Sequence, residues 1–344
     1  MNTHKPEKIL IVGPSWVGDM IMAQSLFLSL KTAFPGCLID VLAPAWSLPL
    51  LDRMPQVANA IVMPLGHGQF GLMARIKLGL RLRTERYDQA IVLPNSWKSA
   101  VVPFFAGIPH RTGYRGEYRW GLLNDVRKLD KGILTMTVQR FVALGLPSHA
   151  KQPPNCGQPS LPANKSGQDN VIQKFGLTFS EKILALCPGA EYGPSKRWPA
   201  DYFAKVAQAK IQHGWQVWLL GSEKDKESAA AINKLTNQQC RDFVGQTSLL
   251  EAVELMSLAN TVVANDSGLM HLAAALNKYV IAIYGSTPPE FAPPLCKKAQ
   301  TVSLNLPCAP CLKRVCPLYP VGHPDHTRCL TGIKPERILE LIGD

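Results

Sequence analysis

Three short segments, each between an apolar run and a helix-length stretch, carry residue types that chemistry can use. The first is Gly13-Pro14-Ser15-Trp16-Val17-Gly18-Asp19-Met20. Its two glycines are spaced like those of a phosphate-cradling loop, but the dinucleotide fingerprint and the Walker Gly-Lys-Ser/Thr are both missing. What the segment offers is the Asp19 carboxylate at the start of a helix. Such a group can serve as a general base or can simply favour the helix dipole, and position alone favours the second.

The second segment is Pro188-Gly189-Ala190-Glu191-Tyr192-Gly193-Pro194-Ser195-Lys196-Arg197-Trp198-Pro199. Glycines and prolines shape a loop in which Lys196 and Arg197 offer charge to a diphosphate, unless the loop is merely basic and solvated. In the third, Asn265-Asp266-Ser267-Gly268-Leu269-Met270-His271, a helix begins at Ser267 and Gly268, and free backbone N–H groups there suit an anion. His271 lies one turn inside that helix, as a ligand contact or as a core histidine bonded to a carbonyl. Both anion-suited loops, with Gly189, belong to the second half, which is therefore assigned a pocket for a sugar nucleotide.

Cys308, Cys311, Cys316 and Cys329 crowd a fourth segment, with His323 and His326 between the last two. The first pair is spaced as a zinc half-site, and the alternatives are a structural Zn²⁺ and free thiols in a surface insert. A disulfide is disfavoured in a reducing compartment. The other five cysteines are scattered and read as small buried hydrophobes.

Apolar runs rich in Val, Ile and Leu must position these segments. Each run ends in Gly, Pro, Asn or Ser, and most precede an amphipathic stretch, the alternation of parallel βα units. Strands are expected near 8–13, 38–42, 60–63, 88–94, 183–188, 216–221, 242–244, 261–265 and 279–284. Helices are expected near 19–33, 69–83, 98–106, 200–213, 224–235, 250–258 and 269–276. Residues 147–169, polar with little periodicity, read as a linker. The fold class is α/β, with two Rossmann-like doubly wound domains at 1–160 and 170–344. The C-terminal helix 335–342 is placed as able to pack back on the first domain. Ligands of such sheets sit beyond the carboxyl ends of the strands, so the expected site is a cleft between the domains.

The 344 residues, 46% hydrophobic and 18% charged, suit a two-domain globular chain. No run reaches the ~20 apolar residues of a spanning helix, and residues 1–8 lack an export signal, so a cytoplasmic location is expected. Net charge is +12, and residues 1–175 hold 20 Lys+Arg against 10 Asp+Glu. That asymmetry suggests a polyanionic partner for the first domain, or else only a soluble basic surface. Nucleic acid is disfavoured because no recognised binding module or stacking platform is present.

Taken together these segments resemble glycosyltransferase family nine, the lipopolysaccharide heptosyltransferases. The blocks 13–20, 43–46, 64–68, 93–100, 103–116, 121–127, 187–199 and 265–274 follow the family's order over nearly the whole chain, and 64–68 and 93–116 resemble second-step members. The resemblance implies a GT-B fold with the donor held by the C-terminal domain. It implies inverting transfer of L-glycero-D-manno-heptose from ADP-heptose to the first heptose of heptosyl-Kdo2-lipid A, at the cytoplasmic face of the inner membrane, with peripheral contact. By position in those blocks, Asp19 matches the proposed base, Lys196 the lysine on the donor diphosphate, and Asp266-Ser267-Gly268 the donor loop. Ser267 stands where first-step members often carry threonine, so a hydroxyl is kept. Lys98, Arg111 and Arg115 are offered as acceptor contacts because they lie in basic blocks. No Asp-x-Asp motif adjoins the donor loops, so no metal is required for the chemistry; stimulation by Mg²⁺ is left open.

Overall fold

The apolar runs fold as strands of two six-stranded parallel sheets in a computed structural model that describes residues 5–66, 68–179 and 182–343. The first sheet holds β1 (Lys8–Val12), β2 (Leu38–Pro44), β3 (Asn59–Met63), β4 (Gln89–Val92), β5 (His110–Tyr114) and β6 (Asp125–Arg127), in spatial order β3-β2-β1-β4-β5-β6. In the second are β7 (Ile183–Cys187), β8 (Gln216–Leu219), β9 (Arg241–Asp242), β10 (Thr261–Asn265), β11 (Tyr279–Ile283) and β12 (Ala299–Val302), in order β12-β11-β10-β7-β8-β9. Numbered from each sheet's own first strand, the two orders are identical.

Strand order reverses beside β1 and β4 in one sheet and beside β7 and β10 in the other. A doubly wound sheet opens a ligand crevice at that switch point, because the loops on its two sides run to opposite faces. The central strands are buried on both faces, with every residue of β7 and β10 buried. Such burial produces continuous apolar runs rather than alternation.

The chain divides into two compact units, Met1–Pro159 and Ser160–Asp344. Residues 147–169 are not wholly linker. Asn164 caps the helix Lys165–Phe175 by accepting from the Gly167 N–H at 2.9 Å. Only Val171 of that helix is buried, so its sequence shows almost no periodicity. Strands β5, β6 and β12 and the helix Thr137–Gly145 were likewise not expected, and β6 and β12 are short sheet-edge strands.

The C-terminal helix Pro335–Ile342, which the sequence allows to return to the first unit, has its apolar face in the second. Ile338 and Ile342 join a core with Trp198 and Phe203, and the Tyr279 hydroxyl donates to the Leu341 carbonyl. His67, inside the block 64–68, lies outside the described residues. Among the described residues no helix is long and apolar enough to cross a membrane.

Candidate functional site

In the second unit the loop after β7 and the loop after β10 flank the switch point, and one side chain ties them together. Asn265, fully buried at the end of β10, accepts from the Trp198 N–H at 3.0 Å and donates to the Pro188 carbonyl at 2.7 Å. Both ends of the loop 188–199 are thus fixed to the neighbouring strand. That anchoring brings Lys196 to Asp266. The ammonium lies 2.5 Å from Oδ2, with the two side chains 12% and 7% exposed. Thr287 Oγ1 donates to the same oxygen, and the Tyr192 ring lies 4.8 Å from the ammonium.

The next residue, Ser267, is the N-cap of the helix Gly268–Ala275, in extended conformation and with no side-chain cap bond. Its Oγ is buried and has no hydrogen-bond partner among the described residues. Buried hydroxyls are normally satisfied, and an unpaired one at a helix N-terminus is of the kind that can receive an anion's oxygens. Gly189 is required by a close approach, since a Cβ there would stand 2.3 Å from the Asp225 carboxylate. Asp225 in turn accepts from the Ser222 N–H and hydroxyl, setting the turn after β8.

Burial pushes the His271 imidazole down to about 4, against the pull of Asp266 and with the push of Lys196. The ring is neutral at pH 7. Its folded value lies below the ordinary 6.5, so the unfolded chain binds this proton more readily. The stability held by the neutral ring is therefore intact above about pH 6.5 and is lost as pH falls toward 4. The full span is on the order of 3 kcal/mol at about 1.4 kcal/mol per unit. Thermal melts should show the melting temperature dropping between about pH 6.5 and 4, with the drop flattened in His271→Gln. A variant that keeps the parental profile would remove His271 as the responsible group.

In the first unit the loops after β1 and β4 hold the corresponding places. Asp19 is half-buried in the first turn of the helix Val17–Ala33. Lys98 follows β4 and donates to the Gln69 carbonyl at 3.3 Å. Arg111 is occupied structurally: it donates to the carbonyls of Leu122 and Ile108 and lies over Phe104. Arg115 is exposed, with its guanidinium 5.4 Å from the Trp120 ring.

Two further arginines, not singled out by the sequence, are buried: Arg75 donates to the carbonyls of Phe70, Gln69 and Lys98, and Arg119 to those of Pro94 and Tyr114. Both clamp loops next to β4. Their charge is spent inside the unit, a use that composition cannot distinguish from a surface patch.

The four clustered cysteines are free thiols lining one cavity of about 670 Å³. Burial works against ionisation of Cys316, yet the N–H groups of Thr327, Tyr319 and Leu318 aimed at its sulfur hold its thiol below the usual range. Cys329 is pushed up to about 11 by burial and by the other three sulfurs. Among the described residues, however, no three His, Cys, Asp or Glu side chains converge well enough to hold a metal ion as they stand.

Three comparisons bear on this geometry. Residues 75–321 match the family model "Glycosyltransferase family 9 (heptosyltransferase)". Lipopolysaccharide heptosyltransferase 2 of Escherichia coli K12 is 50% identical over 306 residues, covering 86% of this chain and 88% of that protein. Lipooligosaccharide heptosyltransferase 2 of Haemophilus influenzae Rd is 48% identical over 309 residues, with the same coverage. A solved structure described as E. coli ADP-heptose LPS heptosyltransferase II superposes with a TM-score of 0.83 at 44% identity, covering 97% of each chain.

Proposed function

The chain belongs to glycosyltransferase family 9, the heptosyltransferases, and on that premise we propose that it transfers L-glycero-D-manno-heptose from ADP-heptose, with inversion, to the first heptose of heptosyl-Kdo2-lipid A. Its two parallel six-stranded units are the GT-B-like architecture of the heptosyltransferase structures. The observation that carries the donor assignment is the unpartnered Ser267 hydroxyl beside an oriented Lys196 at the β7/β10 switch point. First-step transfer is the weaker alternative, because the relatives that share about half their residues with this chain are second-step proteins by name.

The reaction is read as one displacement through an oxocarbenium-like state. Asp19 takes the proton of the acceptor hydroxyl. Lys196, the Ser267 hydroxyl and the helix N–H groups stabilise charge growing on the departing ADP. An ammonium has three N–H donors; Asp266 takes one and fixes the direction of the rest toward phosphate oxygens. These groups supply the leaving-group stabilisation without a required metal. Lys98 and the exposed Arg115 are the acceptor contacts we favour, while Arg111 is committed to the Ile108 and Leu122 carbonyls. The carboxylates and phosphates of the acceptor suit a basic first unit, and the work is assigned to the cytoplasmic face of the inner membrane with peripheral contact. Incubation with heptosyl-Kdo2-lipid A should release ADP from ADP-heptose and no UDP from UDP-glucose; the reverse preference would overturn the donor assignment.

For the cysteines we propose a structural Zn²⁺ that draws Cys308, Cys311, Cys316 and Cys329 together and takes no part in the chemistry. The shared cavity and the N–H groups aimed at Cys316 support it, although the thiols do not converge as they stand. Elemental analysis of protein purified without chelator should find about one zinc per chain. Cys311→Ser should lower that content and the melting temperature with little change in turnover. Metal-free protein with four reactive thiols would return the segment to a plain surface insert.

A further inference from the structure

We propose that Arg314 is a second cation for the diphosphate of the donor, delivered by the cysteine-bearing segment. The proposal rests on the reading of the loop 188–199 as the donor site, and it is independent of whether the cysteines hold metal. The segment 312–314 lies along that loop and is bonded to it at several points. Ser195 N–H donates to the Arg314 carbonyl at 3.2 Å, and Ser195 Oγ to the Lys313 carbonyl. Tyr192 donates its hydroxyl to the Leu312 carbonyl at 2.7 Å, and Leu312 N–H donates to the Ser286 carbonyl at 2.8 Å. Gly193 makes the approach possible. Its φ is 151°, and a Cβ there would stand 2.6 Å from the Arg314 carbonyl.

This backbone contact fixes where the Arg314 side chain starts, and Tyr192 fixes where it goes. The guanidinium lies 5.3 Å from the centroid of the ring that Lys196 approaches to 4.8 Å. One aromatic side chain thus gathers two cations from segments far apart in the chain. Their charges are not equally available. Lys196 shares its charge with Asp266, and Arg197 turns back to donate to the Ala190 carbonyl. Arg314 is exposed and has no ion-pair partner among the described residues. A lone surface arginine would have the same exposure, but it would not be anchored through its own backbone to the residue preceding Lys196. A guanidinium fork also matches phosphate oxygens better than a second ammonium would.

The test compares ADP with adenosine, which lacks the diphosphate, on the full-length parent, Arg314→Ala and Arg314→Lys, by calorimetry and ligand-observed NMR. Arg314→Ala should weaken ADP binding by about tenfold, the scale of one charge-assisted hydrogen bond. Adenosine binding should be unchanged, and Arg314→Lys should recover part of the loss. Equal weakening of both ligands would show that Arg314 only supports the loop, and unchanged ADP binding would show that it does not reach the phosphates; either result overturns the proposal. A parent protein that fails to bind ADP would instead refute the donor site on which the proposal rests.

Discussion

Replacing Asp19 by Asn leaves a folded protein whose turnover is lower by roughly 10²–10⁴-fold, the range for loss of a positioned general base. An amide has the shape of a carboxylate but cannot take the proton of the acceptor hydroxyl. Stability should change little. Asp19 stands in the first turn of a 17-residue helix, where a negative charge contributes about 0.3–1 kcal/mol through the helix dipole. The helix itself is held by a buried face that includes Met20, Leu26, Phe27 and Leu30. Donor affinity should also be preserved, since every donor group named above belongs to the second unit. A melting curve and an ADP-binding isotherm matching the parent, together with lost transfer, assign Asp19 to the chemical step; a folded variant with near-normal transfer would remove it from that role.

Lys196→Ala should weaken ADP-heptose binding and lower turnover by about 10²-fold or more, the scale for removing one preorganised donor to a developing charge. The substitution also strips a partner from Asp266, which is 7% exposed and then left with Thr287 and a neutral His271. Breaking a buried pair from one side costs about 3–5 kcal/mol, because the remaining charge is left uncompensated. The single variant is therefore expected to melt at a markedly lower temperature. The double variant Lys196→Ala/Asp266→Ala should recover most of that stability and none of the transfer. If the double variant also regained transfer, Lys196 would be a structural partner of Asp266 and no more.

Much of the candidate site in the second unit could be read in the sequence because its parts are local. Buried central strands such as Ile183–Cys187 and Thr261–Asn265 are continuous apolar runs, and the loops that follow them carry glycine, lysine and a helix start in a fixed order. Contacts between segments could not be read in the same way. Asn265 joins residues nearly 80 positions apart, and Thr287 and Arg314 reach the site from elements whose sequences carry no sign of it. The first five residues of the helix Lys165–Phe175 read as linker because one buried valine makes no periodic pattern.

Net charge overstates the surface charge of the first unit, since composition counts buried and exposed cations alike. Arg75, Arg119 and Arg111 are committed to backbone carbonyls within the first unit. The exposed positive charge of this unit is therefore smaller than the formal count; Arg115 is exposed and Lys98 is half-buried.

Acceptor choice tests the central claim most directly. Purified protein and ADP-heptose are incubated with Kdo2-lipid A or with heptosyl-Kdo2-lipid A, and the products are weighed by mass spectrometry. The account predicts that the core carrying the first heptose gains one heptose, with matching release of ADP, and that the core lacking it gains none. Heptose added to Kdo2-lipid A, with heptosyl-Kdo2-lipid A left unchanged, would contradict it.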